Sequence, residues 1–227
     1  MPTITADKVQ TGLGIASANF NLSRTANAAS VDTNPSGNDV NVVQYFRSLS
    51  RGGLTIRFKR VFVYFDTSGV TGTVASADIR VTGGSAGVAA NGDTLFAIST
   101  AFGGDGSSNL TTAEFNDIDY TKSRTAVINA GDYNENGTND YAVNSDGLAQ
   151  IKNIDYLILA LIEEDADLNN TEGSDDARGI NIDFDTDFQL IFTLATGYSH
   201  NVSGLAAASI SKINSLATAN VGKVSGL

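Results

Sequence analysis

The stretch LTIRFKRVFVYFDT, residues 54–67, constrains the fold more than any other part of this chain. Leu54, Ile56 and Phe58 alternate with Thr55, Arg57 and Lys59, and after Arg60 comes an unbroken apolar run from Val61 to Phe65. Alternation is the period of a half-buried strand, and a short apolar run is that of a strand covered on both faces. The stretch therefore reads as one strand that leaves a sheet surface and enters a covered position. Further strands are expected over 40–46, 76–82, 94–100, 126–129, 141–144, 156–163 and 179–195, the last long enough for two strands or one with a bulge. Glycines at 83–84, 92 and 103–104 punctuate them. Residues 110–116 fit one helical turn capped by Thr111 or Thr112, with Glu114 near its start, and 145–151 fit a short helix. No long helical period competes, so the fold class is all-β, a β-sandwich or jelly roll. The chain of 227 residues suits one large all-β domain or two small ones. The expected division is an N-terminal arm and first strand over 1–50, a sandwich over 51–197, and a C-terminal tail over 198–227.

Charge and composition exclude several functions. A net charge of -11 argues against an electrostatic nucleic-acid binder, which needs a basic face. The absence of cysteine excludes disulfides and thiolate metal sites. Met1-Pro2-Thr3-Ile4 runs directly into polar sequence, which is not the pattern of a secretory signal, and the run 156–162 is too short to span a membrane. The expectation is synthesis in a cytoplasm with no membrane insertion. The acidic charge is uneven. Between Asp105 and Asp187 lie 19 of the 25 Asp and Glu residues but only four of the 14 Lys and Arg. Two readings stand: a solvated loop end of the sandwich, or an edge that binds a cation or ligand.

Within that region, residues 131–143 carry oxygen-bearing side chains at loop positions 1, 3, 5 and 9, which are Asp132, Asn134, Asn136 and Asp140. Gly137 stands at position 6, and the carbonyl of Thr138 would supply position 7. Ca²⁺ takes six to eight oxygens, and the glycine permits the sharp turn that folds them inward. The spacing resembles the calcium loop of integrin-type FG-GAP repeats and departs from an EF-hand, because Val143 stands at position 12. Two neutral asparagines imply modest affinity, and an Asx-rich hairpin turn without metal is the alternative. Asn181, Asp183, Asp185 and Asp187 fall on one face of an expected strand. Paired carboxylates serve glycosidases, but same-face positions on a strand are more often the wet side of a sheet. Glu163-Glu164-Asp165-Ala166-Asp167 is an acidic corner after a strand, expected as a loop. His200, the only histidine, adjoins the tail and reads as an exposed linker residue. Gly103-Gly104-Asp105-Gly106 is a turn without the Lys-Ser/Thr and helix of a phosphate cradle. No catalytic set emerges, and the chain reads as a non-enzyme.

Several short motifs occur in an order that resembles β-sandwich proteins of bacteriophage particles. They are Phe65-Asp66-Thr67-Ser68-Gly69-Val70 with Ser76-Ala77-Asp78-Ile79-Arg80-Val81, then Ala101-Phe102-Gly103-Gly104-Asp105-Gly106 with Leu110-Thr111-Thr112-Ala113-Glu114-Phe115-Asn116, and Leu148 to Tyr156. The resemblance implies a virion structural protein with a jelly-roll-like sandwich related to carbohydrate-binding modules. Such a protein is a fibre, tail-appendage or capsid-decoration subunit whose partners are other virion proteins. It implies a homo-oligomer, a trimer on family grounds. The alternative is a calcium-assisted module that binds receptors or host glycans, for which Tyr120, Tyr133 and Tyr141 are the aromatic candidates near the acidic loops. Ala166 and Leu168 stand where the family has aromatics, which weakens sugar stacking there.

The tail repeats with a period of eleven. Val202, Leu205, Ile210, Ile213, Leu216, Val221, Val224 and Leu227 recur at spacings of 3, 5 and 3. It is similar to the "ISKINGVATANIGKINGV" tails of phage structural proteins. In a helix a spacing of five turns about 500°, which leaves the face by about 140°. Gly204, Gly222 and Gly226 each cost roughly 1 kcal/mol there. An extended strap lying on a partner is favoured over a small-residue helical bundle formed in an oligomer and over disorder. The tail is thus expected to be an assembly element.

Overall fold

A long strand, β5 (Gly53–Asp66), organises the molecule. The computed structural model describes residues 1–85, 91–174 and 176–195, together with a two-residue pairing of Lys212–Ile213 with Leu216–Ala217. Ahead of β5 come β1 (Thr3–Thr5), β2 (Lys8–Gly14), helix α1 (Phe20–Thr25), β3 (Ala28–Asp32) and β4 (Asn38–Ser50). After it come β6 (Val74–Thr82), β7 (Thr94–Ser99), β8 (Ile118–Ser123), β9 (Thr138–Ala142), helix α2 (Ser145–Asn153), β10 (Tyr156–Glu163), β11 (Asp176–Asp183) and β12 (Gln189–Leu194). The strands form two antiparallel sheets, a smaller one in the order β1-β12-β6-β9 and a larger one in the order β11-β4-β5-β10-β7-β8. Strand β2 joins the larger sheet through β5, and β3 joins through β2. The chain is an all-β sandwich.

Lys59 lies opposite both Leu13 and Gln44, so β2 and β4 occupy opposite edges of β5. Strand β10 takes the β4 edge further along, from Val61 to Asp66. This arrangement gives the sequence pattern of β5 its physical cause. Val61, Val63 and Phe65 face the smaller sheet and pack with Ile79, Val81, Tyr141, Leu190 and Phe192. Phe58 and Phe62 point the other way, into a second core closed by Phe20 of α1 and by Phe102, Leu110 and Phe115 of the 100–117 segment. Each fully buried phenylalanine contributes about 1.5–3 kcal/mol. The apolar run marks the part of β5 covered on both faces, whereas Thr55 and Arg57 lie beyond the cover.

Two expectations are corrected, and a third, for 179–195, resolves to the first of its two alternatives. Residues 1–50 do not form an arm: β1 pairs with β12, β2 with β5, and β4 with β5 and β11. These strands are short or rich in small polar residues, and their pairing comes from partners distant in sequence. Residues 179–195 hold two strands in different sheets, joined by a turn that starts after Asp183. The proposed wet face therefore does not exist as such: Asn181 is buried at 1% exposure, and Asp185 and Asp187 lie beyond the end of β11. Asp185 instead accepts the Gly37 N–H at 2.8 Å.

The edge of β11 away from β4 is covered. Asn91 accepts from the Gly179 N–H at 2.9 Å and donates its amide to the Ala177 carbonyl at 2.6 Å. A side chain that satisfies edge groups removes a template for strand pairing.

Candidate functional site

Three sequence motifs that are far apart in the chain, 65–70, 101–106 and 148–156, meet at the Asp66 end of β5. Asp66 lies opposite Tyr156, the first residue of β10. Thr67 donates its N–H to the Asp155 carbonyl at 2.9 Å and its hydroxyl to the Ile154 carbonyl at 3.0 Å. The 65–70 motif is thereby bonded to the end of the 148–156 motif. The 101–106 motif joins them from the other side. Phe102, Gly103, Gly104 and Gly106 all have positive φ, from 60° to 83°, which turns the chain sharply over Tyr64. A Cβ on Gly106 would lie 2.2 Å from the Tyr64 ring, so only glycine fits there. Tyr64 stacks on Tyr156 with centroids 6.2 Å apart and planes 25° apart.

Two charged groups lock this corner. Lys8 donates to the carbonyls of Gly106 and Ser108 at 2.6 and 2.5 Å. Glu114 accepts from the Gly103 N–H at 2.7 Å and from the Thr111 N–H and hydroxyl at 2.8 Å each. Burial alone would raise the Glu114 pKa, but these bonds to its charged form outweigh that and hold it below the usual carboxylate value. The expected helical turn is a short 3-10 turn, Ala113–Asn116, and its acid reaches back to Thr111 rather than being capped by a threonine.

Loop 131–140 is closed by its own side chains. Asn139 is buried and donates its amide to the carbonyls of Asn134 and Gly137, at 2.9 and 3.3 Å, while accepting the Asn134 N–H at 2.7 Å. Asn134 accepts the Asn136 N–H, and Asp132 accepts from the Asn129 amide at 3.1 Å. Thr138 opens β9 opposite Thr82. Asp140 makes a bidentate pair with Arg80 at 2.7 Å for both bonds. A cation held by Asp132, Asn134, Asn136, Thr138 and Asp140 would have to share the Asp140 carboxylate with the Arg80 guanidinium, which already donates to both of its oxygens.

The acidic corner after β10 divides in two. Residues Glu164–Leu168 form a single wide turn that carries Asp167 inward, where it is 1% exposed. There it meets Arg60, which is fully buried on β5 and donates to both Asp167 oxygens at 2.7 Å. The remaining Arg60 donors reach the carbonyls of Phe115 and Arg24, also at 2.7 Å. The guanidinium lies 4.2 Å over the Phe115 ring. Burial opposes its charge, but Asp167 outweighs this and holds Arg60 above the usual arginine pKa. Glu163 is 2% exposed; one oxygen accepts the Ala166 N–H, and the other lacks a hydrogen-bond partner, 3.8 Å from Arg178. Burial pushes its carboxyl up to about 7.

The three tyrosines considered for sugar stacking are structural. Tyr141 is fully buried and bonded to Thr94, Tyr133 donates to the Asn181 carbonyl, and Tyr120 lies under the Arg24 guanidinium at 4.0 Å. The partly exposed aromatic pair is Tyr64 and Tyr156, which sequence reasoning missed. Of the tail positions, Ile213 and Leu216 pair across the short hairpin, while Val202, Leu205, Ile210, Val221, Val224, Leu227 and also His200 lie outside the described residues. Among the described residues no helix is long and apolar enough to cross a membrane. No protein-family model matches the chain, and a search of curated proteins finds no match.

Proposed function

We propose that this chain is a structural component of a bacteriophage particle, a non-enzymatic fibre, appendage or decoration subunit with a jelly-roll-like sandwich. It projects that sandwich and docks through its C-terminal repeat tail onto other particle proteins. The observation that supports the reading is the corner at the Asp66 end of β5. Of the motifs that resemble phage-particle sandwiches, spread over some ninety residues from Phe65 to Tyr156, the 65–70 motif bonds to the end of the 148–156 motif there, and the 101–106 motif packs beside them over Tyr64. The motif glycines and Glu114, together with Lys8, serve the backbone of that corner, which is an architectural role. Antibodies against the sandwich test the proposal by electron microscopy of purified particles. Gold at a fixed place on the particle supports it, and unlabelled particles with the chain left in the soluble lysate refute it.

A second reading, a glycan-binding module, draws on the stacked Tyr64–Tyr156 pair, since sugar rings pack on exposed aromatic faces. Glycan-array binding lost in Tyr156→Ala, with the fold retained, separates it from a purely structural role.

A further inference from the structure

The two ends of β5 carry opposite charge. From residue 40 to residue 65 the chain has no Asp or Glu, and it holds Arg47, Arg51, Arg57, Lys59 and Arg60, five of the 14 basic residues of an acidic protein. Arg60 is buried, and Arg47 pairs with Glu172 at 3.1 Å. Arg51 and Arg57 are exposed at the β4–β5 hairpin. At the other end Asp7, Asp66, Asp105 and Asp155 are exposed and outnumber Lys8, which is bonded to the Gly106 and Ser108 carbonyls; none of the four forms an ion pair among the described residues. Fourteen residues of strand separate the ends by roughly 45 Å. That distance prevents the two charges from meeting within one molecule.

Shape and apolar exposure follow the same division. Leu49, opposite Leu54 near the hairpin tip, is 66% exposed, and Leu22 of the adjoining α1 is 56% exposed. At the acidic end Ile154 and Leu194 are exposed, with Leu194 against Gly72 of the loop that follows Asp66. That end also holds an open depression of about 390 Å³ with a floor of Ile4, Val70 and Phe192 and a rim of Asp7, Asp66 and Ser68. The hairpin is a basic, apolar knob, and the depression is an acidic socket with an apolar floor.

We propose that the Leu49–Leu54 tip of one copy docks into the Asp7/Asp66 depression of a second copy, giving head-to-tail self-association. The two surfaces differ, so the contact is heterologous: it closes into a ring if the rotation per copy allows and extends as a filament if it does not. The inference goes beyond the particle reading and holds for the purified chain alone.

Sedimentation velocity of the full 227-residue chain across a concentration series tests it. The wild type is expected to gain mass with concentration at low salt and to lose it at high salt, where exposed charges are screened. Arg51→Glu and Asp66→Arg are each expected to weaken association by about tenfold or more. Asp66→Asn keeps the hydrogen bond to the Ser68 N–H and removes only the charge, so it should weaken association with the turn intact. The double variant Arg51→Glu/Asp66→Arg exchanges the two signs and should restore association. A wild type that stays monomeric at every concentration overturns the proposal, as do single reversals that associate like the wild type or a double variant that fails to recover.

Discussion

Asp167→Asn isolates the energetics of the second core. The substitution preserves shape and removes the charge that faces Arg60, a guanidinium with no exposed surface. Arg60 would keep its bonds to the carbonyls of Phe115 and Arg24 and its place over the Phe115 ring, but it would be a buried cation without a counter-ion. Breaking one side of a buried pair costs about 3–5 kcal/mol. Domains of this size hold roughly 5–15 kcal/mol in total. Each kcal/mol moves the midpoint of a 150–250-residue protein by about 2–4 °C, so Tm should fall by roughly 6–20 °C. Urea titration followed by far-UV circular dichroism gives the same quantity as a change in midpoint at constant slope. The double variant Arg60→Met/Asp167→Leu removes both charges and should lose clearly less than the sum of the two single variants. An Asp167→Asn protein within about 1 kcal/mol of the wild type, or a double variant worse than the sum, refutes the reasoning.

Three other outcomes are expected. Glu163 is protonated in both states below about 4.5, and its folded-state carboxyl titrates near 7. Its protonated form therefore stabilises the fold at low pH, and stability falls as pH rises from about 4.5 to about 7. Asp165 and Asp167 on its own turn oppose its ionisation, while Arg178 of β11 favours it. Glu163→Gln should flatten that slope and be the more stable protein at pH 8 by up to about 3 kcal/mol, as read from urea midpoints at several pH values. Gly106→Ala forces a Cβ onto Tyr64 at positive φ and should cost about 1–3 kcal/mol, whereas Gly104→Ala, with the same sign of φ and open space, should cost less; equal thermal shifts would contradict the packing argument. Calcium at loop 131–140 should bind no more tightly than about 10⁻⁴–10⁻³ M, because Arg80 already holds Asp140; micromolar binding by calorimetry that Asp132→Ala abolishes would show that the loop releases Arg80 easily.

Much of the sheet core was legible in the sequence, because β5, β6, β7 and β10 carry their own period. Alternation and apolar runs record local burial, and in these strands the change of pattern along the chain follows the change of cover. The N-terminal strands were not legible. Thr3–Thr5 is held by β12, almost two hundred residues away, and no local pattern encodes that partner. The run 179–195 hid a change of sheet, since both halves are apolar and the turn between them is built from ordinary acidic residues. Arg60 left a signal that the reading passed over: it falls in phase with Ile56, Phe58 and Phe62, the inward positions of β5. A cation in a buried phase requires a buried acid, and the acidic corner ending at Asp167 was the place to seek it. The calcium spacing was visible, but Arg80 on the neighbouring strand and the inward turn of Asn139 depend on sheet pairing.

We propose that the sandwich belongs to a particle and is held there by its tail. Quantitative peptide mass spectrometry of gradient-purified particles tests it, comparing the full chain with one lacking residues 201–227. The full chain is expected at a reproducible copy number per particle that is lost on truncation, while the truncated sandwich stays folded in the soluble fraction. A full chain absent from the particles contradicts docking by the tail, as does a truncated chain that is retained in equal number.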